Sequence, residues 1–129
     1  MMKAPRASRT LRGGRAHASG VDAEALACAA LVRDGWTVLA RRVRTAAGEV
    51  DAIAERDGLL VFLEVKRRAT LTGAAWALTP RQRTRLIGAA EILLAEHPDW
   101  GRAGVRFDVL LVDAAGTVRR IADAFRQEI

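Results

Sequence analysis

The tightest constraint on this chain is the dipeptide Asp57-Gly58, set between one run that opens with Gly48-Glu49-Val50-Asp51 and another that reads Val61-Phe62-Leu63-Glu64-Val65-Lys66. Asp-Gly suits the two-residue type I′ loop, whose twist matches that of the strands it joins, so the runs are expected to fold back on each other as a β-hairpin. Such a loop pairs Arg56 with Leu59 and, counting outward, Asp51 with Glu64 and Glu49 with Lys66. Directly opposed residues of antiparallel strands share a face, with Cβ atoms ~5 Å apart. The expectation is a single face bearing Glu49, Asp51, Glu64 and Lys66. A loop of three or five residues would slip the register by one and destroy the juxtaposition.

Two carboxylates at that separation repel when both are ionised, which raises one pKa unless a cation sits between them. Oxygen-only ligation suits Mg²⁺ or Mn²⁺, which take few protein ligands and keep water for a phosphate substrate. A neighbouring ammonium such as Lys66 would then serve the attacking water or the charge that develops on the phosphate. The same residues also fit a solvated strand end with ordinary cross-strand ion pairs. Both readings stay open on the residues alone.

With 129 residues the chain has the length of one domain, and half of them are apolar, enough for a hydrophobic core. The net charge of +6 is unevenly spread: Lys3, Arg6, Arg9, Arg12 and Arg15 stand in residues 1–20 without an acid, leaving the remainder nearly neutral. Residues 1–20 read as a disordered basic arm able to touch phosphate, and residues 21–129 as the folded domain. No apolar h-region follows the initiating residues and no window of 18 apolar residues occurs, so neither secretion nor a membrane span is expected, and the expected setting is the cytoplasm. Cys28 is the sole cysteine, which excludes an internal disulfide and a thiolate zinc cluster. His17 sits in the basic arm and His97 near a helix end, so a histidine-based site has no support.

A helix is expected from Asp22, as its cap, to about Asp34, with Gly35 as the stop. It places Glu24 on the same face as Ala27, Cys28 and Leu31, where an acid serves either the helix dipole or a site. Residues 36–44 alternate as a strand, with Trp36, Val38 and Ala40 on one side. Thr79-Pro80-Arg81-Gln82 forms a capping box with proline at the first helical position, opening a helix that Pro98 ends. Arg81, Arg83 and Arg85 crowd its start, facing either a phosphate or solvent. Residues 105–112, interrupted by Asp108, and residues 117–121 read as further strands. The sum is an α/β (α+β) domain with a central mixed sheet flanked by helices.

The blocks Gly20-x-x-x-Glu24-x-x-Ala27, Gly48-Glu49-Val50-Asp51, Val61-Phe62-Leu63-Glu64-Val65-Lys66 and Arg106-Phe107-Asp108-Val109 together resemble the small bacterial YraN family. That family is Holliday-junction-resolvase-like, within the PD-(D/E)xK restriction-endonuclease-like superfamily. The resemblance covers residues 20 to about 126 and implies a core order αβββαβ. It further implies a metal-dependent endonuclease in which Asp51, Glu64 and Glu24 hold Mg²⁺ or Mn²⁺ and Lys66 serves the attacking water. The implied partner is nucleic acid, DNA in preference to RNA, and cutting two strands implies a homodimer. Gln82, Arg81, Arg85 and Arg67 become candidate nucleic-acid contacts. Gln82 stands where the family commonly carries lysine, and Arg42 where it often carries asparagine. The alternative is a nucleic-acid-binding or assembly module that keeps the scaffold without turnover.

Overall fold

Asp57 (φ 53°) and Gly58 (φ 82°) both take the left-handed backbone that a type I′ turn requires, and the flanking strands pair from Arg56↔Leu59 through Ala52↔Leu63. The expected register is therefore present over the first five pairs. In the computed structural model, which describes residues 20–125, this hairpin forms strands β2 (Gly48–Arg56) and β3 (Leu59–Arg67). Around it stand α1 (Gly20–Arg33), β1 (Thr37–Thr45), α2 (Pro80–Glu96), β4 (Gly104–Val112) and β5 (Val118–Ile121). The basic arm expected in residues 1–20 lies, apart from Gly20, outside the described residues.

The five strands form one mixed sheet in the order β1-β2-β3-β4-β5. β3 and β4 run parallel because α2 makes the crossover between them, and the other neighbours are antiparallel. This is the α+β, restriction-endonuclease-like order αβββαβ, with β5 added at the edge. Each face of the sheet has its own core. Ala23, Ala27, Cys28 and Leu31 of α1 pack on Ala52, Ala54, Val61, Leu63 and Leu110. Leu86, Ala89, Ala90 and Leu93 of α2 pack on Val50, Ile53, Leu60 and Phe62. Cys28 is a buried member of the first core, and burial pushes its thiol up, as befits an unreactive side chain.

Local signals set most boundaries. Thr79 caps α2 through its side chain to Gln82 N–H, and the Gln82 side chain returns to Thr79 N–H, completing the box. Gly35 ends α1 with φ 87°. The N-terminal end of α1 differs from expectation: the helix already includes Gly20, so Asp22 lies inside it rather than at its cap. The alternation expected for the first strand also fails. β1 is bulged between Val38 and Ala40, which leaves Val38 with Trp36 on the α1 side and turns Ala40 to the α2 side.

Candidate functional site

β2 and β3 stop pairing at Ala52↔Leu63, although each remains joined to its other neighbour beyond that point. The cause lies in the backbone. Val50 packs on the α2 side and Ala52 on the α1 side, so regular alternation breaks at Asp51 between them. On β1, Ala40 and Val43 both face α2 although three residues apart, and Arg42, which stands opposite Asp51, has φ 50°. The paired irregularity lets β2 peel away from β3. The Asp51 carboxylate fills the opening, where it accepts the Val65 N–H at 2.8 Å.

Asp51 thereby feels both sides of the sheet. Burial raises its pKa to about 6, helped by the carboxylates of Glu64 and Glu24 and opposed by the Val65 hydrogen bond and by Arg85. Glu64 and Lys66 alternate on the face toward α2 and are largely enclosed. Arg85 Nη2 donates to Glu64 Oε1 at 2.9 Å, and Lys66 Nζ donates to Gln82 Oε1 at 3.1 Å. Burial first, then nearby Arg68, draws the Lys66 ammonium below its usual range. Glu24 projects from α1 on the opposite layer, where Arg42 Nε donates to its carboxylate at 2.9 Å.

The single face expected for the hairpin is therefore corrected. Asp51, Glu64 and Lys66 do meet, but at a split in the sheet rather than across a continuous ladder. Glu49 does not stand opposite Lys66: it is exposed and pairs with Arg44 on β1 at 3.0 Å. Of the candidate nucleic-acid contacts, Arg85 and Gln82 join the cluster, whereas Arg67 and Arg81 are exposed and, among the described residues, bond none of Glu24, Asp51, Glu64 and Lys66. Arg42 was legible only as a departure from a family position. Its role as the cation facing Glu24 depends on the left-handed turn of β1.

Gln82 carries two duties through one oxygen. Its Oε1 accepts the Thr79 N–H at 2.9 Å and also the Lys66 ammonium, linking the helix cap to the lysine. Gln82→Ala is expected to destabilise the fold by ~0.5–2 kcal/mol, the usual range for a lost cap contact. It should also make Lys66 more reactive toward amine-directed labelling reagents, read by mass spectrometry of the labelled peptide. A variant with unchanged stability and unchanged labelling would refute the shared role.

Asp108, whose role was open, is structural. Its fully enclosed carboxylate takes a bidentate fork from Arg106 Nε (2.9 Å) and Nη2 (2.8 Å), and Asp123 N–H at 2.8 Å.

The family model described as "Uncharacterised protein family UPF0102" matches residues 23–112, a span that holds Glu24, Arg42, Asp51, Glu64, Lys66, Arg85 and Asp108. The chain belongs to the UPF0102 family. This is the YraN family that the four motif blocks resembled. Among curated UPF0102 relatives, one from Granulibacter bethesdensis is 60% identical over 92% of this chain and 75% of its own length. Others come from Azorhizobium caulinodans, 48% identical over 88% of this chain and 86% of the relative, and Bradyrhizobium sp., 44% identical over 95% and 88%. Within this UPF0102 chain, no helix among the described residues is long and apolar enough to cross a membrane.

Proposed function

We propose that this UPF0102 protein is a metal-dependent endonuclease that hydrolyses phosphodiester bonds of nucleic acid, DNA in preference to RNA, with branched or structured DNA as its substrate class. Its setting is the bacterial cytoplasm, and cutting two strands calls for a homodimer. The observation that carries the reading is the cluster at the split in the sheet: Asp51, accepting the Val65 N–H where β2 leaves β3, shares its surroundings with the enclosed side chains of Glu64 and Lys66. Burial of several like charges is costly, so natural folds keep such clusters where they serve a site.

The donors are hard carboxylate oxygens, and the raised pKa of Asp51 marks a demand for positive charge, so the residues fit Mg²⁺ or Mn²⁺ rather than a soft metal. Asp51 and Glu64 would hold the ion, with Glu24 beside them. When bound, it supplies charge stabilisation to the phosphate oxygens and acidifies water. Lys66, oriented by Gln82, would place its ammonium where negative charge builds on the phosphate. Attack by the water oxygen on phosphorus breaks one P–O ester bond and leaves a phosphate monoester and a hydroxyl.

A second reading, a binding module without turnover, is favoured by one specific observation. Among the described residues no three acidic, histidine or cysteine side chains are gathered closely enough to enclose an ion, and Glu24 and Glu64 are each paired with an arginine. The two readings separate on incubating the full chain with branched, flapped and linear DNA, and with RNA, in Mg²⁺ or Mn²⁺. Cleavage that requires the metal and disappears in Glu64→Ala is expected. Salt-sensitive binding without any such cleavage would establish the module instead.

A further inference from the structure

We infer that Arg85 serves two anions in turn: it neutralises Glu64 while the acidic cluster holds no metal ion, and it binds a phosphate of the nucleic acid once a cation has taken its place. This inference rests on the endonuclease reading and assigns a phosphate-binding residue within that site.

The geometry of the guanidinium carries the argument. Arg106 shows what a satisfied arginine looks like in this protein: its Nε and Nη2, the two donors of one edge, both bond the Asp108 carboxylate. Arg85 reaches Glu64 through Nη2 alone, at 2.9 Å. Its Nε is buried and has no hydrogen-bond partner. A buried donor left unpaired is costly, so half of this fork awaits an oxyanion that Glu64 does not supply. A phosphate, with adjacent oxygens spaced for side-on contact, satisfies both donors.

The stem of the side chain is held for this task. Gly48, at φ 137°, lies so close that a Cβ there would sit 2.1 Å from Arg85 Cγ, so the start of β2 walls the aliphatic part of a side chain that is 31% exposed as a whole. Arg85 stands in the second turn of α2, whose first turn contains no acid and whose start carries exposed Arg81 and Arg83. A phosphate chain reaching the site therefore meets positive charge before it meets Arg85. A divalent cation that draws Glu64 away competes with Arg85 for one carboxylate. Metal and phosphate consequently bind with positive coupling, and by linkage each strengthens the other by the same factor.

The test uses the full chain and two probes: Mn²⁺ alone, followed by calorimetry, and a fluorescein-labelled 20-base-pair DNA duplex, followed by anisotropy with and without Ca²⁺. Arg85→Ala should bind Mn²⁺ about fivefold or more tightly, because the competitor is gone, and the duplex about tenfold more weakly, with the strengthening by Ca²⁺ reduced. Arg85→Lys, which keeps the charge but not the fork, should retain part of the competition and lose most of the duplex affinity. Opposite signs on the two probes exclude general unfolding, which would weaken both. Weaker Mn²⁺ binding in Arg85→Ala would show that Arg85 merely orients Glu64, and unchanged values on both probes would remove it from the site; either overturns the inference. If the unmodified protein takes up no Mn²⁺, the metal reading falls and the exchange falls with it.

Discussion

Replacing Asp108 with alanine is expected to cost the fold about 3–5 kcal/mol, because it removes one member of a buried charge network and strands the others. Arg106 would lose both bonds of its fork, and Arg120, whose Nη1 approaches the same carboxylate at 3.8 Å, would lose that ion pair. The hydrogen bonding of Arg106 to Asp108 is also what raises that arginine's pKa most. Around this point Arg56, Arg106 and Arg120 all lie over Trp36, their guanidinium carbons 4.7, 5.7 and 5.5 Å from the ring. Cation–π attraction contributes to that stack, but three cations on one indole need a carboxylate among them. The Asp123 N–H, which ties the segment after β5 to β4, would lose its bond to the Asp108 carboxylate as well. Urea unfolding followed by circular dichroism reads the loss as a lower midpoint at unchanged slope. Asp108→Asn keeps the shape and one acceptor, so an intermediate loss is expected. A decrease below about 1 kcal/mol in the alanine variant would show that the network is not what holds this edge.

The second large effect concerns Asp51, and its two parts have opposite signs. A carboxyl whose pKa is raised on folding is bound more firmly to its proton in the native state, so its effect on stability worsens as pH rises from about 4, where the unfolded chain ionises, to about 6, where the folded protein does. Each tenfold gain in proton affinity on folding corresponds to about 1.4 kcal/mol. Discounted for the solvent-accessible part of the side chain, the penalty at neutral pH is ~1–2 kcal/mol. Asp51→Asn should therefore stabilise the metal-free protein by about that amount above pH 6 and by little below pH 4, since the amide oxygen still accepts the Val65 N–H. The same variant should lose metal-dependent cleavage by ~10³-fold or more, and Mn²⁺ should raise the melting temperature of the unmodified protein but not of the variant. Thermal melts at pH 4.0, 5.0, 6.0 and 7.5, with and without Mn²⁺, check both halves. A variant less stable than its parent at pH 7.5 would mean that Asp51 is a structural carboxylate rather than a strained site residue.

Stability gained where activity is lost is the usual mark of a functional site. Here the strain has a visible origin in the break of alternation at Asp51 and the left-handed Arg42 opposite it. A non-glycine residue in that conformation is uncommon and costs energy. Its consequence is the gap into which Asp51 projects.

The elements legible in the chain were those written within a few residues of themselves. Asp57-Gly58 dictated the hairpin and its register because both residues must adopt positive φ and few dipeptides do so cheaply. Thr79-Pro80-Arg81-Gln82 announced α2 because a cap, a proline and a reciprocal side chain all satisfy the same free N–H groups. The order of helices and strands follows from such local signals, whereas Asp51 and Glu64 meet beyond the last pair of the ladder, Ala52↔Leu63, where β2 has left β3. The pairing of Glu49 with Lys66 was an extrapolation of the same register past the point where the ladder ends, and it failed there.

Folding in three dimensions settled the rest: where β2 leaves β3, that Glu24 and Glu64 approach Asp51 from opposite layers, that Arg42 and Arg85 answer those acids, and that Asp108 belongs to the scaffold. Charges separated by 18 or 21 positions meet through the packing of α1 and α2 on the two faces of the sheet, and no short-range propensity encodes that distance. The order of residues alone specified the hairpin, the Gly35 stop of α1, the Thr79 cap of α2 and the side chains capable of the chemistry. Burial and long-range packing selected which of those side chains share one electrostatic environment, because the interaction of charges depends on their separation and on the solvent excluded between them.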